Sequence, residues 1–171
     1  MAAWFQKKTP DAAAGPRAAG SVAGLLSEKT VLLADDAAGK DAVLRRLVEA
    51  AASAHGLGPA EPLLQSVLER ERGISTTLDS GLSLPHARLD GIERVAAALA
   101  IVPEGVVDPK QPDVKVRAMF VFFSPNRPEA FSQHLQLLRA VSSLFKPDLI
   151  ARLCALKTPA EILAGLTAAE A

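Results

Sequence analysis

With a single cysteine, Cys154, the chain cannot close an internal disulfide, and no CxxC or Cys/His cluster offers metal-ligand spacing. No metal or other cofactor is therefore expected, and a reducing compartment suits the chain. Charge of one sign is also missing, with 19 Lys+Arg against 19 Asp+Glu. No net field exists to hold nucleic acid or an anionic membrane by counterion release, so any charged site must be local. No run reaches the roughly 20 apolar residues that cross a bilayer, and MAAWFQKKTP lacks the apolar centre of a secretory signal. A soluble, cytoplasmic protein without membrane insertion is expected. Internal repeats and a Walker-type glycine loop are absent too, so no nucleotide is brought by this chain.

What is present suffices for one substantial core: 171 residues at 49% hydrophobic content. Residues 1–20 mix Ala, Gly, Pro and Lys without a period and read as a flexible tail, in which Trp4 and Phe5 stand out. The domain is placed at 21–171. A short helix to Leu26 and an extended run Thr30 to Leu33 open it. Val43, Leu44, Leu47, Val48 and Ala51 recur at helical spacing from Lys40 to about Ala54, and Leu63, Leu64, Val67 and Leu68 do so after Pro62. Arg70 borders the apolar face of that second helix near its end, while Glu69 and Arg72 point to solvent.

A polar loop follows Gly73, then Leu82-Ser83-Leu84 alternate as a short strand ending on Pro85 and His86. Val95 to Val102 is an apolar run of strand length stopped by Pro103, with Glu104 to Pro112 expected as loop. Val114 to Phe123 reads as a central strand covered on both faces. A long helix from about Pro128 to Phe145 puts His134 on the same face as Leu137, Leu138, Val141 and Phe145, toward the sheet. Further helices begin at Pro147 and at Pro159, the latter after a Thr158/Glu161 capping box. Strands interleaved with helices indicate an α/β domain, a mixed sheet flanked by helices.

Of the three histidines, His55 reads as a solvated helix end. His134 taken alone suits a hydrogen-bonded core position. His86 follows a proline at a strand end beside hydroxyl-rich residues, which fixes its backbone and leaves its ring partly open. Two histidines, a flanking arginine and a loop of hydroxyls could bind an anion, and a neutral imidazole nitrogen accepts a phosphoryl group near pH 7. A Ser/His/Asp hydrolase is the competing chemistry, but no G-x-S-x-G occurs and Ser83 lies too close to His86 along one strand.

Leu68-Glu69-Arg70-Glu71, Ser75-Thr76 and Gly81-Leu82-Ser83-Leu84-Pro85-His86-Ala87-Arg88 together resemble the active-site signature of enzyme IIA domains of the bacterial phosphoenolpyruvate:sugar phosphotransferase system, of the fructose/mannitol and nitrogen-regulatory type. The resemblance runs from about Val22 to Leu166. Pro103-Glu104-Gly105 fits the family's turn after a core strand, and His134-Leu135 fits the helix bearing a second histidine. The resemblance implies the fold of these type 2 IIA proteins and of the cytoplasmic domains of some anion transporters. It makes His86 the phosphoryl acceptor, His134 the second active-site histidine and Arg70 the neutraliser of phosphoryl charge. Thr76 matches the threonine of the active-site loop, and Ser83 and Arg88, within the same motif, are expected to support the phosphate.

Phosphate would come from the phosphocarrier HPr or a paralogue and pass to a IIB partner or switch a regulated target. No IIB, HPr-like or IIC segment is recognisable, so a stand-alone regulatory IIA protein is expected first. The alternatives are a fructose/mannitol-type IIA working with separate IIB and IIC chains, and a binding or scaffold domain of the same fold without phosphotransfer. Thr77-Leu78-Asp79-Ser80-Gly81 replaces the family's usual Gly-x-Gly-Asn-Gly, and Asp79 would repel a phosphohistidine unless it points away or pairs with Arg88.

Overall fold

A computed structural model describes residues 21–34 and 39–171. The expectations for the tail, Trp4 and Phe5 lie outside the described residues. Five strands form one mixed sheet: β1 (Val31–Leu33), β2 (Leu82–Ser83), β3 (His86–Leu89), β4 (Ala96–Asp108) and β5 (Gln111–Pro125). The order is β1-β4-β5-β2, with β3 also paired to β5. β4 and β5 run antiparallel, whereas β1 joins β4 and both β2 and β3 join β5 in parallel. The helices are α1 (Gly39–His55), α2 (Ala60–Glu71), α3 (Phe131–Leu144), α4 (Pro147–Cys154) and α5 (Pro159–Glu170).

Alternation along the two long strands divides the core. Leu99, Ile101, Phe120 and Phe122 pack against Val141, Phe145, Leu149, Ile150, Leu153, Ile162 and Leu166 from α3, α4 and α5. Ala98, Ala100, Val102, Met119, Val121 and Phe123 meet Val43, Leu44, Leu47, Val48, Leu64 and Val67 from α1 and α2. The sheet is thus covered on both faces, as the continuous apolar run of β5 predicts. Each fully buried large side chain contributes about 1.5–3 kcal/mol by leaving water, so the two clusters dominate the stability of the scaffold.

Two sequence expectations are corrected. Pro103 does not stop the strand, because β4 continues to Asp108 and the residues expected as loop form the end of a long hairpin. The register shifts between Ile101 and Val106, and this bulge takes up Pro103, which has no N–H to give the ladder. Gly105 sits there at φ +77, where an added Cβ would lie 2.9 Å from the Lys115 side chain. The second correction lies at the motif itself. Beyond Pro85 the chain resumes as strand β3 instead of ending at His86.

Candidate functional site

The approach to His86 begins at Gly81, whose φ of +94 puts a would-be Cβ 3.1 Å from the Lys115 carbonyl. Its own carbonyl accepts from the N–H groups of Arg117 at 2.9 Å and Ala118 at 3.2 Å, which starts the parallel pairing with β5. Pro85 contributes only a carbonyl, accepting from Phe122 at 3.3 Å. That divides one extended segment into β2 and β3 and seats His86 opposite Phe122.

His86 is only 4% exposed. Its ring stacks on Phe122 at 5.3 Å between centroids and 10° between planes. Nδ1 lies 2.8 Å from the Leu84 carbonyl. A carbonyl can only accept, so Nδ1 carries the proton and the free lone pair is on Nε2. Burial lowers the pKa of His86 below 6.5, the Leu84 bond opposes this, and the nearby Arg70 charge adds to the lowering. At neutral pH the ring is an uncharged nucleophile.

His134 projects from α3 and is 6% exposed. Its ring centre is 5.3 Å from that of His86 at a 58° tilt, and Phe131 stacks on it at 6.2 Å and 10°. Ser124 Oγ and His134 Nδ1 share a 2.6 Å hydrogen bond. Burial first, then the charges of His86, Arg88 and Arg70, push its pKa down to about 4.

Arg70 is exposed on the last turn of α2. Among the described residues it has no hydrogen-bond or ion-pair partner, yet its charge reaches both rings. Its neighbour Glu71 is 7% exposed and fully engaged. Lys40 Nζ stands 3.3 Å from Glu71 Oε1 and 3.3 Å from Asp108 Oδ2. Thr76 donates its hydroxyl to Glu71, and the Lys110 ammonium donates to the Glu71 backbone carbonyl. Asp108 accepts from Ser75 Oγ at 2.7 Å, Thr77 Oγ1 at 2.6 Å and the Lys110 N–H at 3.0 Å. Burial raises the pKa of Asp108, but the Thr77, Lys110 and Ser75 bonds and Lys40 outweigh it, so the carboxyl is held well below its ordinary range. The loop after α2 is thereby fastened to the tip of the β4–β5 hairpin.

The structure sets His86 beside His134 with the charge of Arg70 acting on both rings, and of the three expected phosphate supports it commits Thr76 and Arg88 elsewhere and turns Ser83 to the other face. Thr76 spends its hydroxyl on Glu71. Ser83 pairs with Met119 and so faces the α1/α2 side, opposite Phe122 and His86, with its Oγ buried and unpartnered among the described residues. Arg88 donates from Nη2 to the carbonyls of Pro125 at 3.2 Å and Arg127 at 2.7 Å, and its guanidinium lies 5.1 Å over the Phe131 ring. It buttresses the aromatic that stacks on His134. Asp79 is exposed, and no salt bridge joins it to Arg88 among the described residues.

Sequence reasoning passed over Phe122, Ser124, Lys40 and Asp108. The strand period places Phe122 on the face that bears His86, a signal that could have been used; the other three contacts depend on register and tertiary approach. A neutral imidazole nitrogen, a second neutral ring and one uncompensated arginine can accept and stabilise a phosphoryl group without a metal. Among the described residues, no cluster of three or more His, Cys, Asp or Glu is placed to hold a metal ion, and no helix is long and apolar enough to cross a membrane.

Residues 24–169 match the family described as "Phosphoenolpyruvate-dependent sugar phosphotransferase system, EIIA 2". The chain is 30% identical over 133 residues to the 2-O-alpha-mannosyl-D-glycerate-specific EIIABC component of Escherichia coli, covering 74% of this chain and only 20% of that protein. It is 28% identical over 119 residues to the fructose-specific EIIA component of Haloferax volcanii, covering 69% of this chain and 76% of that protein. In structure it is similar to the nitrogen regulatory protein IIA-Ntr of Neisseria meningitidis, with TM-score 0.72, 21% identity, and coverage of 85% of this chain and 98% of that one.

Proposed function

The chain belongs to the EIIA 2 family of the phosphoenolpyruvate-dependent sugar phosphotransferase system, a family of phosphoryl carriers, and from that membership we propose that it carries phosphate on Nε2 of His86. The observation that carries the assignment is the 2.8 Å contact of His86 Nδ1 with the Leu84 carbonyl, which leaves Nε2 as the nucleophilic nitrogen. The donor is HPr or a paralogue carrying a phosphohistidine. The Nε2 lone pair attacks phosphorus in line; the donor's N–P bond breaks and its electron pair stays on the donor nitrogen. The proton on His86 Nδ1 remains in place, and its bond to Leu84 strengthens as the ring takes up positive charge. Arg70, with no ion-pair partner among the described residues, neutralises the phosphoryl oxygens, and His134 lies beside them.

Phosphorylation puts two negative charges on phosphoryl oxygens beside a ring that has become cationic, a net gain of about one negative charge at a nearly buried site, enough to change a docking contact by a few kcal/mol. We therefore extend the proposal to a stand-alone regulatory IIA protein whose partner choice follows the state of His86. Similarity to a fructose-specific EIIA component favours a second reading, a sugar-transport IIA that passes phosphate to a separate IIB protein. The test is incubation with phosphoenolpyruvate, enzyme I and HPr, followed by measurement of acid-labile phosphate. Wild type should label and His86→Ala should not; equal label on both would end the proposal. Rapid transfer from the labelled protein to a purified fructose- or mannitol-type IIB would select the second reading over the regulatory one.

A further inference from the structure

His86 and His134 are neighbouring neutral rings, but their Nδ1 atoms meet opposite partners. A carbonyl fixes the proton on His86 Nδ1. His134 Nδ1 instead meets the hydroxyl of Ser124, a residue 1% exposed near the end of β5. Among the described residues that hydroxyl has no other hydrogen-bond partner than His134 Nδ1, at 2.6 Å. A buried hydroxyl whose hydrogen points at no acceptor loses its water and gains nothing in return, so the hydroxyl donates. Nδ1 of His134 is then the acceptor and Nε2 carries the proton.

We propose that Ser124 is a positioning residue, locking His134 as the Nε2–H tautomer so that this ring is a neutral hydrogen-bond donor for the phosphoryl group on His86. The role toward phosphate rests on the function proposed above; the tautomer does not. The arrangement is complementary, because His86 presents a lone pair from Nε2 and His134 an N–H from the same ring position. A neutral donor suits a carrier, since it stabilises the phosphoryl oxygens without adding a second fixed cation beside Arg70. The low pKa of His134 keeps it in this neutral form across physiological pH.

The test is long-range 15N–1H NMR of the histidine rings in the whole protein at pH 7, with phosphoryl-transfer kinetics on Ser124→Ala and Ser124→Thr. Wild type should show His134 protonated at Nε2 and His86 at Nδ1. Ser124→Ala should populate the other His134 tautomer and lower kcat for acceptance about tenfold, less than the 10²–10³ lost when a donor is removed outright, with KM for the phosphoryl donor unchanged. Ser124→Thr, which keeps the hydroxyl, should restore both the tautomer and the rate. An Nδ1-protonated His134 in wild type overturns the inference whatever the labelling shows. So does a Ser124→Ala protein with unaltered ring shifts and rate. Failure of His86 to label removes the function reading alone, and the NMR result on wild type still decides the tautomer.

Discussion

Arg70 and Glu71 are consecutive residues that end the same helix, and they meet opposite surroundings. Glu71 is buried against Lys40 and Thr76, in a cluster that continues through Asp108 to Ser75, Thr77 and Lys110. Arg70 is exposed, and its charge acts on two neutral imidazoles with which it makes no hydrogen bond. In the first region both carboxylates meet Lys40 and are satisfied by hydroxyls or a backbone N–H. In the second, a positive charge and a lone pair are left open. The compensated cluster fixes the backbone from which the uncompensated arginine projects, and only the uncompensated region can respond to an arriving dianion.

If that division holds, damage to the cluster should unfold the protein and damage to the pocket should disable it. The largest effect is expected for Asp108→Leu, which leaves Lys40 with only Glu71 and strips acceptors from Ser75, Thr77 and Lys110. Loss of one partner from such a buried network should cost about 3–5 kcal/mol in urea unfolding. Adding Lys40→Met should deepen the loss, because Glu71 would then be buried without a counter-charge. A cost near zero for Asp108→Leu would erase the contrast.

Next in size is Arg70→Ala. Removing the exposed charge that acts on both rings should slow phosphoryl acceptance about 10²-fold, as the loss of a preorganised donor does elsewhere. Stability should stay within about 0.5 kcal/mol of wild type, since the side chain is exposed. Rapid-quench kinetics and denaturant melts on the same preparation check both halves.

The smallest effect is in pH. His134 titrates near 4 in the folded protein against 6.5 ordinarily, so between those values the unfolded chain binds more protons and stability falls as pH falls. Asp108 is depressed from 3.8, so its contribution is present above 3.8 and is lost only at more acid pH. Urea titrations should therefore show the pocket weakening first and the cluster later, and His134→Gln should flatten the slope between pH 6.5 and 4. Acceptance by His86 should likewise decline with a midpoint below 6.5.

Much of this was legible in the residues. Helical spacing turned His134 toward the sheet, the apolar run of β5 announced a strand covered on both faces, and the motif around Pro85 and His86 marked the segment that sets His86 beside His134. The proline at 103 misled, because a bulge with Gly105 lets the strand pass a residue that cannot donate to the ladder. Nothing local marks Lys40 and Asp108 as partners; only the approach of α1 to the hairpin tip brings them together. Ser83 and Arg88 were assigned by closeness to His86 along the chain. Strand alternation sends Ser83 to the opposite face, and backbone carbonyls and Phe131 occupy Arg88. The Ser124 contact depends on how α3 settles over the end of β5, which no local pattern encodes.

With its Nδ1 proton committed to the Leu84 carbonyl, His86 is proposed to receive phosphate on Nε2. The direct measurement is 31P and 15N NMR of the protein after phosphorylation by enzyme I, HPr and phosphoenolpyruvate. One phosphohistidine is expected, at residue 86 and bonded through Nε2, with Nδ1 still protonated. Phosphate on Nδ1 of His86, on His134, or on no histidine would contradict it.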